Sequence, residues 1–335
     1  MSKLLDVRDL HVSIHTDGGI VQAVRGVNFS LDKGETLAIV GESGSGKSIT
    51  CKAIMGLLPL GGRVDRGEIL LSGKNIANLA EREMRGIRGA NISMIFQDPL
   101  TSLNPTMTIG KQIAEMIMLH QPGMTPEQRR ARALELLEMV GIPNPAERYR
   151  QYPHQFSGGM RQRVMISIAL ACNPQFLIAD EPTTALDVTI QAQILDLLRE
   201  LQKKIDTSII IVTHNLGVVA NVADRVIVMY GGRFVEAGSL DAVFYEMKHP
   251  YTQGLMDSIP KLNAHGQALY SIAGTPPDLM NPPKGCPFAA RCAHRMKVCD
   301  AFPPETVLFT DTHSAACWLH DPRAARNGRE ADAHA

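Results

Sequence analysis

The sequence predicts an α/β protein with a phosphate-loop parallel-sheet core, an N-terminal antiparallel β-subdomain, a helical insertion and a small Cys-rich C-terminal module. Three observations carry this reading. From Phe176 to Met229, apolar runs alternate with helical segments, as in a mostly parallel sheet with helices on both faces. The stretch Gly41-Glu42-Ser43-Gly44-Ser45-Gly46-Lys47-Ser48 follows the apolar run Leu37–Val40 and precedes a helical stretch. It fits G-x-x-x-x-G-K-[ST] in its required strand–loop–helix setting. Residues 3–40 alternate short apolar runs with turn signals at Thr16–Gly19 and Asp32–Gly34, the pattern of hairpin strands.

In chain order, the hairpin strands lead into the run Leu37–Val40, the glycine-rich loop and a helix from Ser48 to Met55. Strands are expected at Ile69–Leu71 and Ile92–Phe96. Between about Pro99 and Pro153 the pattern is helical, with amphipathic segments at Ile109–His120 and Pro126–Val140 broken by several prolines. A helix at Gly158–Cys172 precedes a buried strand at Phe176–Ala179. Helix Ile190–Lys204, strand Ile209–Val212, helix Leu216–Ala223 and strand Val226–Met229 follow. Beyond about Ser258, proline and glycine density rises and periodicity fades, so a separate module is expected over 259–335, after a first domain over 1–258.

The loop defines the chemistry. Gly41, Gly44 and Gly46 let the backbone curl so that amides, that of Ser43 included, point at phosphate oxygens. The helix start adds a positive dipole end, Lys47 a charge, and Ser48 a hydroxyl for Mg²⁺. A nucleoside triphosphate is the expected ligand. Composition bounds the rest: 335 residues suit two domains, and 34 basic residues balance 34 acidic ones, so no global field points to nucleic acid. No signal peptide and no run of about 20 uninterrupted apolar residues is found, so a cytoplasmic location is expected.

Two further constellations surround the loop. The run Phe176–Ala179 ends in Asp180 and Glu181; lying beside the loop strand, it would place Asp180 to hold Mg²⁺ and Glu181 to act on the attacking water. A solvated strand end is the plainer alternative. Ser157-Gly158-Gly159, opening a helix, offers a second anion site, against the simpler reading of an N-cap with a glycine turn. One chain cannot easily fold both phosphate sites onto one nucleotide, whereas two chains arranged head to tail would.

These motifs together resemble the ATP-binding subunits of ABC transporters: Ser157-Gly158-Gly159 before Arg161-Gln162-Arg163, Asp180-Glu181-Pro182-Thr183, then Ala185-Leu186-Asp187. Gln97 matches that family's Q-loop and His214 its switch histidine, over roughly residues 4–258. The resemblance implies a nucleotide-sandwich dimer whose closure on ATP drives transport. Gln97 would contact Mg²⁺ or the lytic water, His214 would orient that water, and Asp187 would lie at the dimer contact or simply cap its helix. The helical insertion, 99–156, resembles the subdomain that touches the membrane partner, with Leu100, Leu103 and Met107 as contacts or as internal packing. One departure concerns the base. The family's stacking aromatic falls at Ile14, with His15 beside it, so stacking is expected to be weaker or supplied by His15.

The C-terminal segment narrows the resemblance. His249-Pro250-Tyr251-Thr252, Gly274-Thr275-Pro276 and the four cysteines resemble the extension of importer ATPases for dipeptides and oligopeptides, with nickel importers as close relatives. Cys286, Cys292, Cys299 and Cys317 have spacings Cys-x₅-Cys-x₆-Cys-x₁₇-Cys, unlike a zinc finger. A [4Fe–4S] cluster is expected on them, with zinc as the alternative and a structural role favoured over a redox one. The partners implied are a second ATPase subunit (a paralogue or the same chain), two transmembrane permeases and an extracytoplasmic peptide-binding protein, at the cytoplasmic face of the membrane. A soluble, non-transport ABC ATPase and a phosphotransferase are the other classes. The first usually carries tandem cassettes or a coiled coil, absent here, and the second would leave Ser157-Gly158-Gly159 without a purpose.

Overall fold

The computed structural model describes residues 3–184, 186–259 and 271–322. Strands β1 (Lys3–Thr16) and β2 (Gly19–Asp32) form the long hairpin, followed by β3 (Thr36–Val40), α1 (Lys47–Met55), β4 (Gly62–Leu71) and β5 (Lys74–Asn75). Next come α2 (Glu81–Ile87), β6 (Ile92–Ile95), α3 (Pro99–Ser102), α4 (Ile109–His120), α5 (Pro126–Met139), α6 (Pro145–Arg148) and α7 (Gly158–Ala169). The second half runs β7 (Phe176–Asp180), α8 (Val188–Ile205), β8 (Ser208–Thr213), α9 (Leu216–Val219), β9 (Arg225–Tyr230), β10 (Arg233–Ser239), α10 (Leu240–Tyr245) and α11 (Pro250–Asp257). Among the described residues α12 (Lys297–Ala301), β11 (Thr306–Leu308) and β12 (Ser314–Ala316) follow.

An antiparallel sheet, β2-β1-β4-β5, covers one side of an eight-stranded sheet ordered β11-β12-β10-β9-β3-β8-β7-β6. Strands β9, β3, β8, β7 and β6 run parallel, while β10, β12 and β11 extend the sheet antiparallel. Every residue of β3, β6, β7 and β8 is buried, which is why these strands read as continuous apolar runs rather than alternating ones. Burying an Ile or Leu is worth roughly 1.5–3 kcal/mol each, so packing fixes the strands and leaves the loops at their ends to carry function.

The strand order corrects one expectation. β8 lies between β3 and β7, so the strand bearing Asp180 and Glu181 is not beside the loop strand. The two are nevertheless joined across the sheet, because α1, which starts at the loop, packs over β6 and β7.

Three apolar cores result. One fills the space between the antiparallel sheet and α1, with Leu5, Leu31, Ile39, Ile54 and Ile69 fully buried. A second joins β7 and β8 to the helical insertion through Ile113, Leu136, Val164 and Ile194. Leu103 belongs to it at 3 % exposure, so it is internal packing rather than a surface contact; Met107 is half-buried. The side chain of Leu100 and all of Ala185 lie outside the described residues. The third core packs Val40, Tyr230 and Tyr251 against Phe288, Cys286 and Cys299, so the C-terminal segment shares a core with the main sheet.

His249 is buried there, accepting the Tyr251 amide at Nδ1 (3.0 Å), with no partner for Nε2 among the described residues. Burial first, and His320 second, push its pKa from 6.5 to about 3. The unfolded chain therefore binds one more proton between those values, so stability is fully present above about 6.5 and is lost as pH falls toward 3. The expected slope is about 1.4 kcal/mol per pH unit, and His249→Gln should flatten it in thermal melts followed between pH 6.5 and 4.

Candidate active site

The loop between β3 and α1 needs glycine for steric reasons. A Cβ on Gly41 (φ 153°) would sit 2.1 Å from the Met229 carbonyl oxygen, and one on Gly46 (φ 107°) 2.4 Å from that of Ala23. The neighbouring strands thus clamp the loop, and only glycine admits them. Lys47 folds back over it: Nζ donates to the carbonyls of Gly41 (2.7 Å) and Glu42 (2.9 Å). Burial lowers the Lys47 pKa, partly countered by Glu181, Asp180 and Glu42.

Gly44, Gly46, Ser43, Lys47 and Ser48 line one cleft of about 810 Å³, together with Gln97, Glu181 and His214. Gly41 lies behind it, where its carbonyl holds Lys47. Ser48 Oγ donates to Asp180 Oδ1 at 2.7 Å. Burial raises the Asp180 pKa against this bond and nearby lysines. A hydroxyl and a desolvated carboxylate converging at a strand end are the hard oxygen donors that suit Mg²⁺.

Glu181 is the hub of the polar end. Its Oε2 accepts from Gln97 Nε2 (2.9 Å) and Thr184 Oγ1 (2.8 Å), and Oε1 lies 3.3 Å from His214 Nδ1. The backbone holds it in the left-handed region (φ 48°), rare for a residue with a side chain, with its amide bound to the Val212 carbonyl. Three strand ends, those of β6, β7 and β8, thereby bring Gln97, Glu181 and His214 together.

Ser157 caps α7, accepting the Met160 amide at 3.4 Å, and it and Gly158 are exposed outside this cleft, with Gly159 half-buried beside them. Asp187 caps α8 by accepting the Ile190 amide at 3.0 Å. On the base side, Ile14 lines the cleft but His15 does not; successive strand residues face opposite ways, and His15 points outward. The expectation that His15 supplies stacking is therefore not met.

Residues 24–184 match the model of the ABC transporter family, and residues 235–299 that of the oligopeptide/dipeptide transporter C-terminal region. The dipeptide transport ATP-binding protein DppD of Bacillus subtilis is 58% identical over 325 residues, covering 97% of each chain. The oligopeptide transport ATP-binding protein OppD of the same organism is 60% identical over 97% of this chain and 91% of its own. The chain belongs to the ABC transporter ATPases. Among solved structures, the dimeric ATP-binding cassette MJ0796, in a post-hydrolysis state bound to ADP and Pi, superimposes with a TM-score of 0.63. It is 30% identical and covers 70% of this chain and 98% of its own.

In this ABC ATPase several site residues escape sequence reasoning. Thr184 grips Glu181, the Tyr251 hydroxyl accepts the Glu42 amide at 2.8 Å, and Arg291 pairs with Glu42 through two nitrogens at 2.6 and 3.1 Å. A threonine three residues after the Glu is a local signal for the first; nothing local announces the others.

Burial, the main cause, carries the Cys286 pKa to about 12, and Cys299, Cys317 and Cys292 add to the shift. Burial likewise lifts Cys317 to about 11. Among the described residues, however, no three His, Cys, Asp or Glu side chains are grouped to hold a metal ion. The expected four-thiolate centre is not assembled among the described residues; Cys286 and Cys299 pack into the third apolar core, with Cys292 against it.

Proposed function

We propose that this chain hydrolyses ATP as half of a head-to-tail pair and so energises import of dipeptides or oligopeptides through a membrane transporter. The observation that carries the reading is the meeting of Gln97, His214 and Thr184 on the Glu181 carboxylate, at one end of a cleft floored by the phosphate loop. Peptide transport is supported by the dipeptide and oligopeptide transport ATP-binding proteins that are 58–60% identical over nearly the whole chain. Among the described residues no helix is long and apolar enough to cross a membrane, so the membrane path must come from other subunits.

In the reaction, Lys47 and the loop amides neutralise the phosphate oxygens. Ser48 and Asp180, with Gln97 nearby, would hold Mg²⁺, which screens charge as the terminal phosphoryl group departs. The Glu181 carboxylate accepts a proton from the attacking water, and His214 and Gln97 keep it aimed. Ser157, Gly158 and Gly159 of a second chain present a helix start to the terminal phosphate. Their exposure outside the cleft suits this role, as does the dimeric cassette that shares the fold.

The second ATPase is a paralogue or another copy of this chain. Two permeases and an extracytoplasmic peptide-binding protein complete the complex, with this subunit on the cytoplasmic face of the cell membrane. A cleft of about 240 Å³ lined by Leu57, Met94, Phe96 and Met116 offers a permease helix an apolar seat one residue from Gln97. Residues 1–258 are assigned to the ATPase domain and 259–335 to the extension. A [4Fe–4S] cluster there, or zinc, rests on the four cysteines of the sequence alone, since no metal-holding group of side chains forms among the described residues. Purification of the intact membrane complex tests the whole reading. Two hydrophobic subunits and peptide-stimulated ATPase activity are expected, and recovery of the chain without membrane proteins would sink it. Iron with acid-labile sulfide in that preparation marks the cluster, zinc alone marks the alternative, and neither removes both.

A further inference from the structure

The nucleotide cleft is not built from the ATPase core alone. Beyond the phosphate loop its walls are Ile14 and Val21 of the hairpin, Leu255 of α11, and Ile272 and Leu279 from the C-terminal segment. That segment is fastened at both ends. The Gln22 amide donates to the Leu279 carbonyl at 2.8 Å, and the Met280 methyl packs over Gly18 and Gly19 at the hairpin tip. At the other end, Arg291 donates from Nη2 to the Ile272 carbonyl (2.9 Å) and from Nε to the Ala273 carbonyl (2.9 Å). The same guanidinium forks onto Glu42 in the phosphate loop and reaches the Tyr230 hydroxyl at 3.1 Å. Its side chain is 6% exposed, and although burial opposes the charge, the Glu42 and Tyr230 hydrogen bonds leave its pKa raised. A single buried arginine thus spans the two parts of the cleft.

We propose that the segment Ser271–Met280 is the base-side wall of the nucleotide site, with Ile272 and Leu279 gripping the purine ring and Arg291 as the positioning residue that locks this wall to the phosphate loop. The proposal rests on the reading that the cleft binds ATP. It answers what replaces the aromatic missing at Ile14: aliphatic side chains from two modules enclose the ring, where one stacked ring would otherwise serve. It also gives the C-terminal segment a direct task at the nucleotide.

The test is calorimetry on the full chain with Mg²⁺-ADP, which is not turned over, and with Mg²⁺ and inorganic pyrophosphate, which lacks the base. Ile272→Ala and Leu279→Ala should each weaken ADP about fivefold to tenfold, as expected for a few methylenes, and leave pyrophosphate within about twofold. Both residues are only half-buried, so truncation should not disturb folding. Arg291→Lys keeps the charge but loses the fork, and should weaken ADP about tenfold. Combined with Glu42→Gln it should be little worse than either alone, since both act through one ion pair, and pyrophosphate affinity kept within about twofold separates this positioning role from a general loss of fold. In steady-state ATP hydrolysis the Ile272 and Leu279 variants should raise KM more than they lower kcat. Unchanged ADP affinity in these two variants, or parallel loss of ADP and pyrophosphate, overturns the wall while wild-type ADP binding preserves the nucleotide reading. A wild-type chain that binds neither probe overturns both.

Discussion

Glu181→Gln is expected to lower ATP turnover by about 10²- to 10⁴-fold while leaving ATP binding largely intact. The substitution is isosteric and removes the basic oxygen pair that Gln97, Thr184 and His214 surround. Lys47, Ser48 and Asp180 are not among the hydrogen-bond partners of Glu181 and keep their own contacts. Binding without turnover should accumulate the closed pair, visible in size-exclusion chromatography with Mg²⁺-ATP as a dimer that wild type forms only transiently. One local strain is built in: the new amide cannot accept from both Gln97 and Thr184 if its NH₂ faces them, so the Gln side chain should flip its oxygen toward those donors. Near-wild-type hydrolysis by this variant would remove Glu181 from the role of base.

The parts of the site that were legible share one property: each is a polar residue placed by a local pattern. Gly41–Ser48, Gln97, Asp180, Glu181 and His214 all sit just past an apolar strand, and the sheet gathers strand ends at one edge whatever the order of strands. The order itself was not legible. Apolar runs of similar length do not encode which neighbours pair, so β8 intervenes between β3 and β7 where adjacency was expected. The short α3 gave too few residues to show which face is inward, and Leu103 turned out to be core. The extension of the sheet by β10, β12 and β11 was missed because its last strands are three residues each in a segment without periodicity. Arg291 was missed because its partner Glu42 stands 249 positions away, and an arginine beside a cysteine carries no signal of that contact. Long-range ion pairs are decided by tertiary packing, which is where single-sequence reasoning ends.

Lys47→Ala is the change expected to act most strongly on binding itself. The ammonium is buried and satisfied by the carbonyls of Gly41 and Glu42, yet burial depresses its pKa, so the charge carries a folding cost. Because the folded pKa lies below the unfolded one, that cost is present throughout the neutral range and disappears only as the group deprotonates at high pH. Alanine removes the cost and at the same time leaves the Gly41 and Glu42 carbonyls without their donor, so the two effects oppose and the melting temperature without nucleotide should move little. Against a triphosphate the balance differs, since the phosphate charge loses a desolvated partner, a loss worth about 2–5 kcal/mol or roughly 30-fold to several thousand-fold in affinity. Ligand linkage makes the contrast measurable. Wild type should gain about 2.7 kcal/mol of stability at a nucleotide concentration 100 times its Kd, whereas the variant at the same concentration should gain about 0.9 kcal/mol for a 30-fold loss and almost none for a thousand-fold one. A variant that still shows the full thermal shift with Mg²⁺-ATP would mean that the loop amides and the helix start hold the phosphates without the lysine.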